Sequence, residues 1–303
     1  MPLLYRNRDF GWPNIGRKFK FMEILDLITE NEPLASLPNT FYLLQDAIED
    51  PNSDFAQIGK LISIDPALTV RLLKIVNSAF YGYSNPIETV SHALGVVGTE
   101  QLMQLVLATS VVGQFKGIPA DMIDMDYFWR HSVACGLAAR AINDINEGTD
   151  GERYFVAGLL HDIGRLVMCL KVPDQFRIAM NFARKSGDRW HKAEAKYFGF
   201  DHGGVGGALL RAWNLPKRLQ ECVAHHHRPS SSKKYSHEAT VILLADHISH
   251  EVLDNSNEEF TRGEIDPSIW NKLSLVESTH KALIKEKVYF QFDEVSQVFL
   301  QTA

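Results

Sequence analysis

Apolar residues recur along this chain at helical spacing, and the period-two alternation that marks strands is essentially absent. After Asp54, FAQIGKLISI puts Phe55, Ile58, Leu61 and Ile62 on one face. DPALTVRLLKIVNSAFYG follows, with Asp65 as N-cap, Pro66 at the first helical position, and Leu68, Leu72, Ile75, Val76 and Phe80 in helical register. YGYSNP is a loop broken by Gly82 and Pro86. TVSHALGVVG then ends at Gly98, and Thr99 can cap EQLMQLVLATSVV. The best internal boundary is KGIPADMIDMD, residues 116–126. Beyond it, YFWRHSVACGLAARAIND and ERYFVAGLLHDIGRLVMCL carry apolar and small residues on a helical period. His161 and Asp162 therefore fall inside an apolar helical run. Further helices are expected at roughly 174–186, 190–197, 202–212, 216–227 and 236–252. The last forty or so residues hold a helix-like DPSIWNKLSLVESTHKALIKEK and an aromatic tail, VYFQF. The fold class is all-α.

Composition narrows the function classes. A formal net charge of −6 argues against a surface built for nucleic-acid phosphates. The basic residues Arg6, Arg8, Arg17, Lys18 and Lys20 read as a solvated N-terminal arm. Cys135, Cys169 and Cys222 are far apart and form no CxxC, which fits reduced thiols. No signal-peptide h-region opens the chain, and no apolar run approaches the ~20 residues a membrane span needs, so a cytoplasmic protein is expected. Arg71 and Lys74 are too weak a basic footprint for a helix-turn-helix reader, and core packing explains that helix better. Phe80, Tyr81 and Tyr83 beside Asn77 read as packing between two subdomains, with the lining of a ligand or partner groove as the other reading. The glycines at 203–207 lack a P-loop pattern and read as close helix packing.

Histidine is the feature that composition alone does not explain: there are twelve, mostly between residues 131 and 250. In order come His131, the doublet His161–Asp162, His202, the triplet His225–His227, and Asp246 in VILLADHIS. A buried ionisable pair is costly unless compensated. Imidazole and carboxylate together suit iron, manganese or zinc. A metal-free hydrogen-bonded cluster is the other reading that spacing allows. His92, His191, His237, His247, His250 and His280, taken singly, read as ordinary histidines rather than ligands.

GLLHDIGRLVM, FGFDHGGVGGALLRAWNLPKRLQECVAHHHRP and LISIDPALTVRLLKIVNSAFYGYSNPIETVSHALGVVGTEQL strongly resemble the HDOD (HD-related output domain) family, from about Pro33 to about Glu251. The resemblance implies an N-terminal helical subdomain packed on a diverged HD-type helical subdomain, and a role in bacterial signal transduction. It divides the chain into an arm (1–25), the N-terminal subdomain (26–118), an HD-like metal-binding subdomain (119–253), and an extension without assigned role (254–303). Related cyclic-dinucleotide phosphodiesterases use the order H, HD, H, HH, D. The matching positions are His131, His161 with Asp162, His202, His226 with His227, and Asp246. Pro229 aligns the family's HH-x-P ending with His226–His227 rather than His225–His226. By that analogy His131, His161, Asp162 and Asp246 hold one divalent ion, and Asp162 bridges to a second held by His202, His226 and His227. Iron or manganese is favoured over zinc.

Two positions depart from the phosphodiesterase pattern. The lysine after HDxG is Arg165 here, whose planar fork is not equivalent, and RPSSSKKYS stands where a GYP segment is expected. The leading expectation is therefore a signalling output module with a retained metal site, acting through a nucleotide ligand or other signalling proteins, with neither membrane nor nucleic acid as partner. The alternative is a metal-dependent phosphohydrolase acting on a nucleotide or cyclic dinucleotide. There Asp162 and Arg165 would be catalytic, with Arg165 or Lys171 neutralising developing charge.

Overall fold

The computed structural model describes residues 23–29, 37–253 and 265–300, and every element in them is helical, with no strand among the described residues. The all-α expectation holds. The basic arm falls on residues outside those described.

After a short helix α1 (Ile24–Thr29), five helices form the N-terminal half: α2 (Asn39–Glu49), α3 (Phe55–Ser63), α4 (Pro66–Val76), α5 (Val90–Val97) and α6 (Thr99–Val112). Asp54 and Asp65 cap α3 and α4 by accepting from the Gln57 and Leu68 backbone nitrogens. The cap expected at Thr99 is not made. Gly98, at φ 95°, joins α5 to α6, and no side chain caps the second helix. Only glycine sits easily in that backbone region. On α4, Leu68, Leu72, Ile75 and Val76 are buried as the pattern predicts. The helix is flanked by α5, α6 and the C-terminal helix α16 (Glu277–Leu300), so its inward face is core. Asn77 holds the following loop closed: its side chain donates to the Leu73 and Ile87 carbonyls and accepts from the Ile87 nitrogen.

The second half is organised around α7 (Met125–Ile145), which packs against α8 (Gly151–Leu160), α14 (Ser236–Leu253) and α16 (Glu277–Leu300). Between α8 and α14 run α9 (Ile163–Lys171), α10 (Pro173–Ser186), α11 (Trp190–Phe198), α12 (His202–Ala212) and α13 (Lys217–His225). The apolar run around His161 is not one continuous helix: it breaks at His161–Asp162, between α8 and α9. α15 (Ser268–Lys272) ends at a turn in which Ser274 takes a φ of 56°, and this interrupts the helix expected across that stretch. The VYFQF segment is not a tail. It lies within α16, whose Val288, Phe292, Val295 and Phe299 are buried. α16 also reaches the NSAFY loop, where Glu294 accepts from the Ala79 nitrogen and Gln291 donates to the Ala79 carbonyl. The expected aromatic packing between the halves is made by Phe80, whereas Tyr83 is exposed and stacks on Tyr81. Phe80 is buried edge-on against Phe155, and Arg140 lies 3.8 Å over its ring.

The three cysteines are free and buried. Among the described residues, no single helix is long and apolar enough to cross a membrane.

Candidate metal centre

Five elements deliver side chains to one buried point. His131 comes from the middle of α7, His161 and Asp162 from the α8–α9 break, and His202 from the first turn of α12. His226 and His227 follow α13, and Asp246 lies on α14. The break lets adjacent residues face the same centre, whereas on an unbroken helix they would diverge by about 100°. Asp201 caps α12 by accepting from the Gly204 nitrogen, which fixes His202 at the helix start.

All seven residues expected from the sequence converge. Asp162 Oδ1 lies 2.9 Å from His202 Nε2, 3.5 Å from His161 Nε2 and 3.9 Å from His226 Nε2. Asp246 Oδ1 lies 3.1 Å from His131 Nε2 and 3.5 Å from His161 Nε2. His227 Nε2 is 2.8 Å from His202 Nε2. Donors about 2.0–2.2 Å from a shared ion stand roughly 3–4 Å apart, so this spacing fits coordination. Two groups that share Asp162 meet that geometry, Asp162 with His202, His226 and His227 and Asp162 with His131 and His161, and a third, His131 with Asp246 and His250, meets it without Asp162. His225 stands outside, paired with Glu221 at 3.5 Å.

The outer atoms are arranged as ligands require. His161 Nδ1 lies 2.7 Å from the Gly158 carbonyl and His226 Nδ1 2.7 Å from the Val223 carbonyl. A carbonyl only accepts, so each Nδ1 carries a proton and Nε2 is the nitrogen turned toward the centre. Nε2 of His131, His161 and His226 is buried without a hydrogen-bond partner among the described residues. Three orphaned ring nitrogens around two carboxylates are hard to reconcile with a purely hydrogen-bonded cluster. A cation satisfies them.

Burial pushes His226 down to about 3, helped by His161 and His202, so it is neutral at physiological pH. Burial also opposes an imidazolium at His202, but Glu194 and Asp162 outweigh it and push that residue up to about 10. Burial likewise disfavours the Asp162 carboxylate, yet His161, His202 and Arg165 hold it well below its usual value.

Several residues here lie outside the expected set. Glu194, on α11 and fully buried, accepts from both His202 Nδ1 (2.6 Å) and the His202 nitrogen (2.9 Å). Nothing local in the sequence flags it. Glu194→Gln is expected to weaken divalent-metal affinity roughly 10–100-fold while leaving the fold intact, as read by chelator competition. His191 stacks on His227 with ring centroids 4.0 Å apart, and His250 stacks on His131 at 4.3 Å. Neither stands alone, and the i,i+4 spacing of Asp246 and His250 puts both on one face of α14. Arg165 does not face outward. Its Nη1 is 3.0 Å from Asp162 Oδ2, and its guanidinium lies 5.3 Å over the Trp190 ring. Lys171 is at the far end of α9.

An all-helical protein with a buried histidine–aspartate centre of metal-binding type is what this fold and site define. The HDOD domain model matches residues 34–229, and the chain belongs to the HDOD family. An uncharacterized protein of Treponema pallidum (strain Nichols) is 26% identical over 219 residues, covering 71% of this chain and 42% of that protein. The chain thus spans about two fifths of the length of the curated relative it matches. Among solved structures, a provisionally named phosphohydrolase from Shewanella amazonensis SB2B is similar in fold, with a TM-score of 0.71 and 21% identity, over 92% of this chain and 98% of that one. A provisionally named signal transduction protein from Marinobacter aquaeolei VT8 has a TM-score of 0.69 and 16% identity, over 93% of this chain and 62% of that one.

Proposed function

We propose that this chain is a bacterial, cytoplasmic signalling output module of the HDOD type, built around one or two divalent ions. It acts by binding a nucleotide ligand or a signalling partner rather than by turnover. His131, His161, Asp162 and Asp246 would hold one ion and Asp162, His202, His226 and His227 the other, with iron or manganese the best match to the donors. The ions would supply Lewis acidity, and enough binding energy to tie α7, the α8–α9 break, α12, α13 and α14 together. The chain's own groups orient the donors: the Gly158 and Val223 carbonyls and Glu194 fix which ring nitrogen each histidine turns inward.

The observation that carries this reading is Arg165. The phosphohydrolase reading gives Arg165 the developing charge of a phosphate to neutralise, yet Arg165 is paired to Asp162 at 3.0 Å and covered on one face by Trp190. Its charge serves the donor cluster. A second reading, a phosphohydrolase like the provisional name of the Shewanella neighbour, is favoured by the completeness of the donor set.

Elemental analysis and a nucleotide screen separate the two. Purified protein should carry iron, manganese or zinc near stoichiometry. It should bind a nucleotide or cyclic dinucleotide in calorimetry without releasing product. Product release that disappears in Asp162→Ala would overturn the module in favour of the enzyme.

A further inference from the structure

Asp246 Oδ1 is approached by a third imidazole. His250 Nε2 lies 3.4 Å away, beside His131 at 3.1 Å and His161 at 3.5 Å. The donor atoms of His131, Asp246 and His250 all lie within 4.8 Å of one another, a grouping that leaves out His161 and Asp162. His131 therefore belongs to two donor sets at once, and Asp246 Oδ1 lies within 3.5 Å of the imidazoles of both; one Nε2 can serve only one ion at a time. His250 is also held as a ligand is held: its Nδ1 is 3.5 Å from the Tyr127 hydroxyl on α7, and its ring stacks on His131. The two sets differ in depth. The Asp246 and His250 side chains are 17% and 15% exposed, against 1% for His161 and 7% for Asp162. His250 and Asp246 thus lie on a more open side of the centre than His131, His161 and Asp162.

Resting on the metal-centre reading above, we propose that His131, Asp246 and His250 form an outer seat where a divalent cation is captured before it enters the buried centre. The ion keeps His131 and Asp246 and exchanges His250 for His161 and Asp162. Such a seat lets a hydrated cation trade its waters for protein donors in steps, instead of losing them together at the mouth of an apolar interior. His250 then sets how fast the centre fills and has little effect on how much metal it finally holds.

The test follows uptake of Mn(II) by the metal-stripped protein, using the electron paramagnetic resonance signal of the free ion over time. Final metal content comes from elemental analysis and fold from far-ultraviolet circular dichroism. His250→Ala and His250→Gln should both load more slowly than wild type, on the order of tenfold, to the same final content. The glutamine variant keeps the bulk packed on His131, so a packing defect in the alanine variant does not decide the outcome. His247→Ala, whose Nε2 faces Glu251 at 3.4 Å instead, should load like wild type. Wild-type rates in both His250 variants, or a lower final content at an unchanged rate, would overturn the outer seat. Failure of the wild-type protein itself to take up Mn(II) would overturn the metal reading on which the seat rests.

Discussion

Asp162→Ala should abolish metal uptake and, in the metal-free protein, cost about 3–5 kcal/mol of stability. Both effects come from one residue holding two sets of partners. Oδ1 is the atom nearest His202, His161 and His226, so its removal deletes the donor common to both coordination groups. Oδ2 is the partner of Arg165, whose side chain is only 13% exposed and would lose that ion pair. Equilibrium urea unfolding of metal-stripped wild type and variant measures the second effect, and elemental analysis the first. The pH dependence carries a sign. The folded carboxylate is held well below its ordinary value of 3.8, so Asp162 contributes its stability above that pH and loses it progressively as acid protonates the native state. The gap between wild type and variant should therefore be full at neutral pH and close toward low pH. A gap independent of pH would mean that lost packing, not the charge, is responsible.

The reach of the sequence is clearest where side-chain identity settles the matter. Histidine and aspartate are costly in apolar helices, so the series from His131 to Asp246 stands out against its background. All seven positions lie together in space. The Asp54 and Asp65 caps were readable for a similar reason, since a short acceptor before a helical run has one obvious use. The break between α8 and α9 was not readable, because the apolar period continues through it on both sides. Glu194 was hidden for another reason. It reaches His202 across the turn at Gly199, and no short-range pattern relates a helix-borne carboxylate to the start of the next helix. The C-terminal segment failed at its turn. Ser274 adopts a left-handed φ that serine seldom takes, so nothing in NKLSLVES announced the stop, and the VYFQF aromatics were detached from the helix that carries them.

The glycine of the HDIG stretch has a consequence as large as the aspartate's. A Cβ built on Gly164 would overlap the His202 carbonyl oxygen and lie 2.7 Å from the Gly206 nitrogen. Both obstacles are backbone, so no side chain can swing aside, and relief requires α9 and α12 to separate. Gly206 makes the contact from the other side, with its own Cβ position 3.4 Å from the Gly164 nitrogen and 2.8 Å from a Val223 methyl. The small residues of HGGVGGALL thus let α12 lie against α9 and α13 at once, and that close approach is what brings His202 within 2.9 Å of Asp162. Gly164→Ala should therefore act on the centre without altering a single donor. Overpacking of this kind costs typically 1–3 kcal/mol when side chains can adjust, and more where backbone meets backbone. The expected result is a stability loss at or above about 3 kcal/mol in urea unfolding, accompanied by loss of metal at the His202 side of the centre. Gly204→Ala, on the same helix, meets a flexible Ile24 methyl at 3.2 Å and Asp201 Oδ1 at an ordinary 3.7 Å, and should keep both stability and metal. Equal behaviour of the two variants would show that the α9–α12 approach does not position the donors.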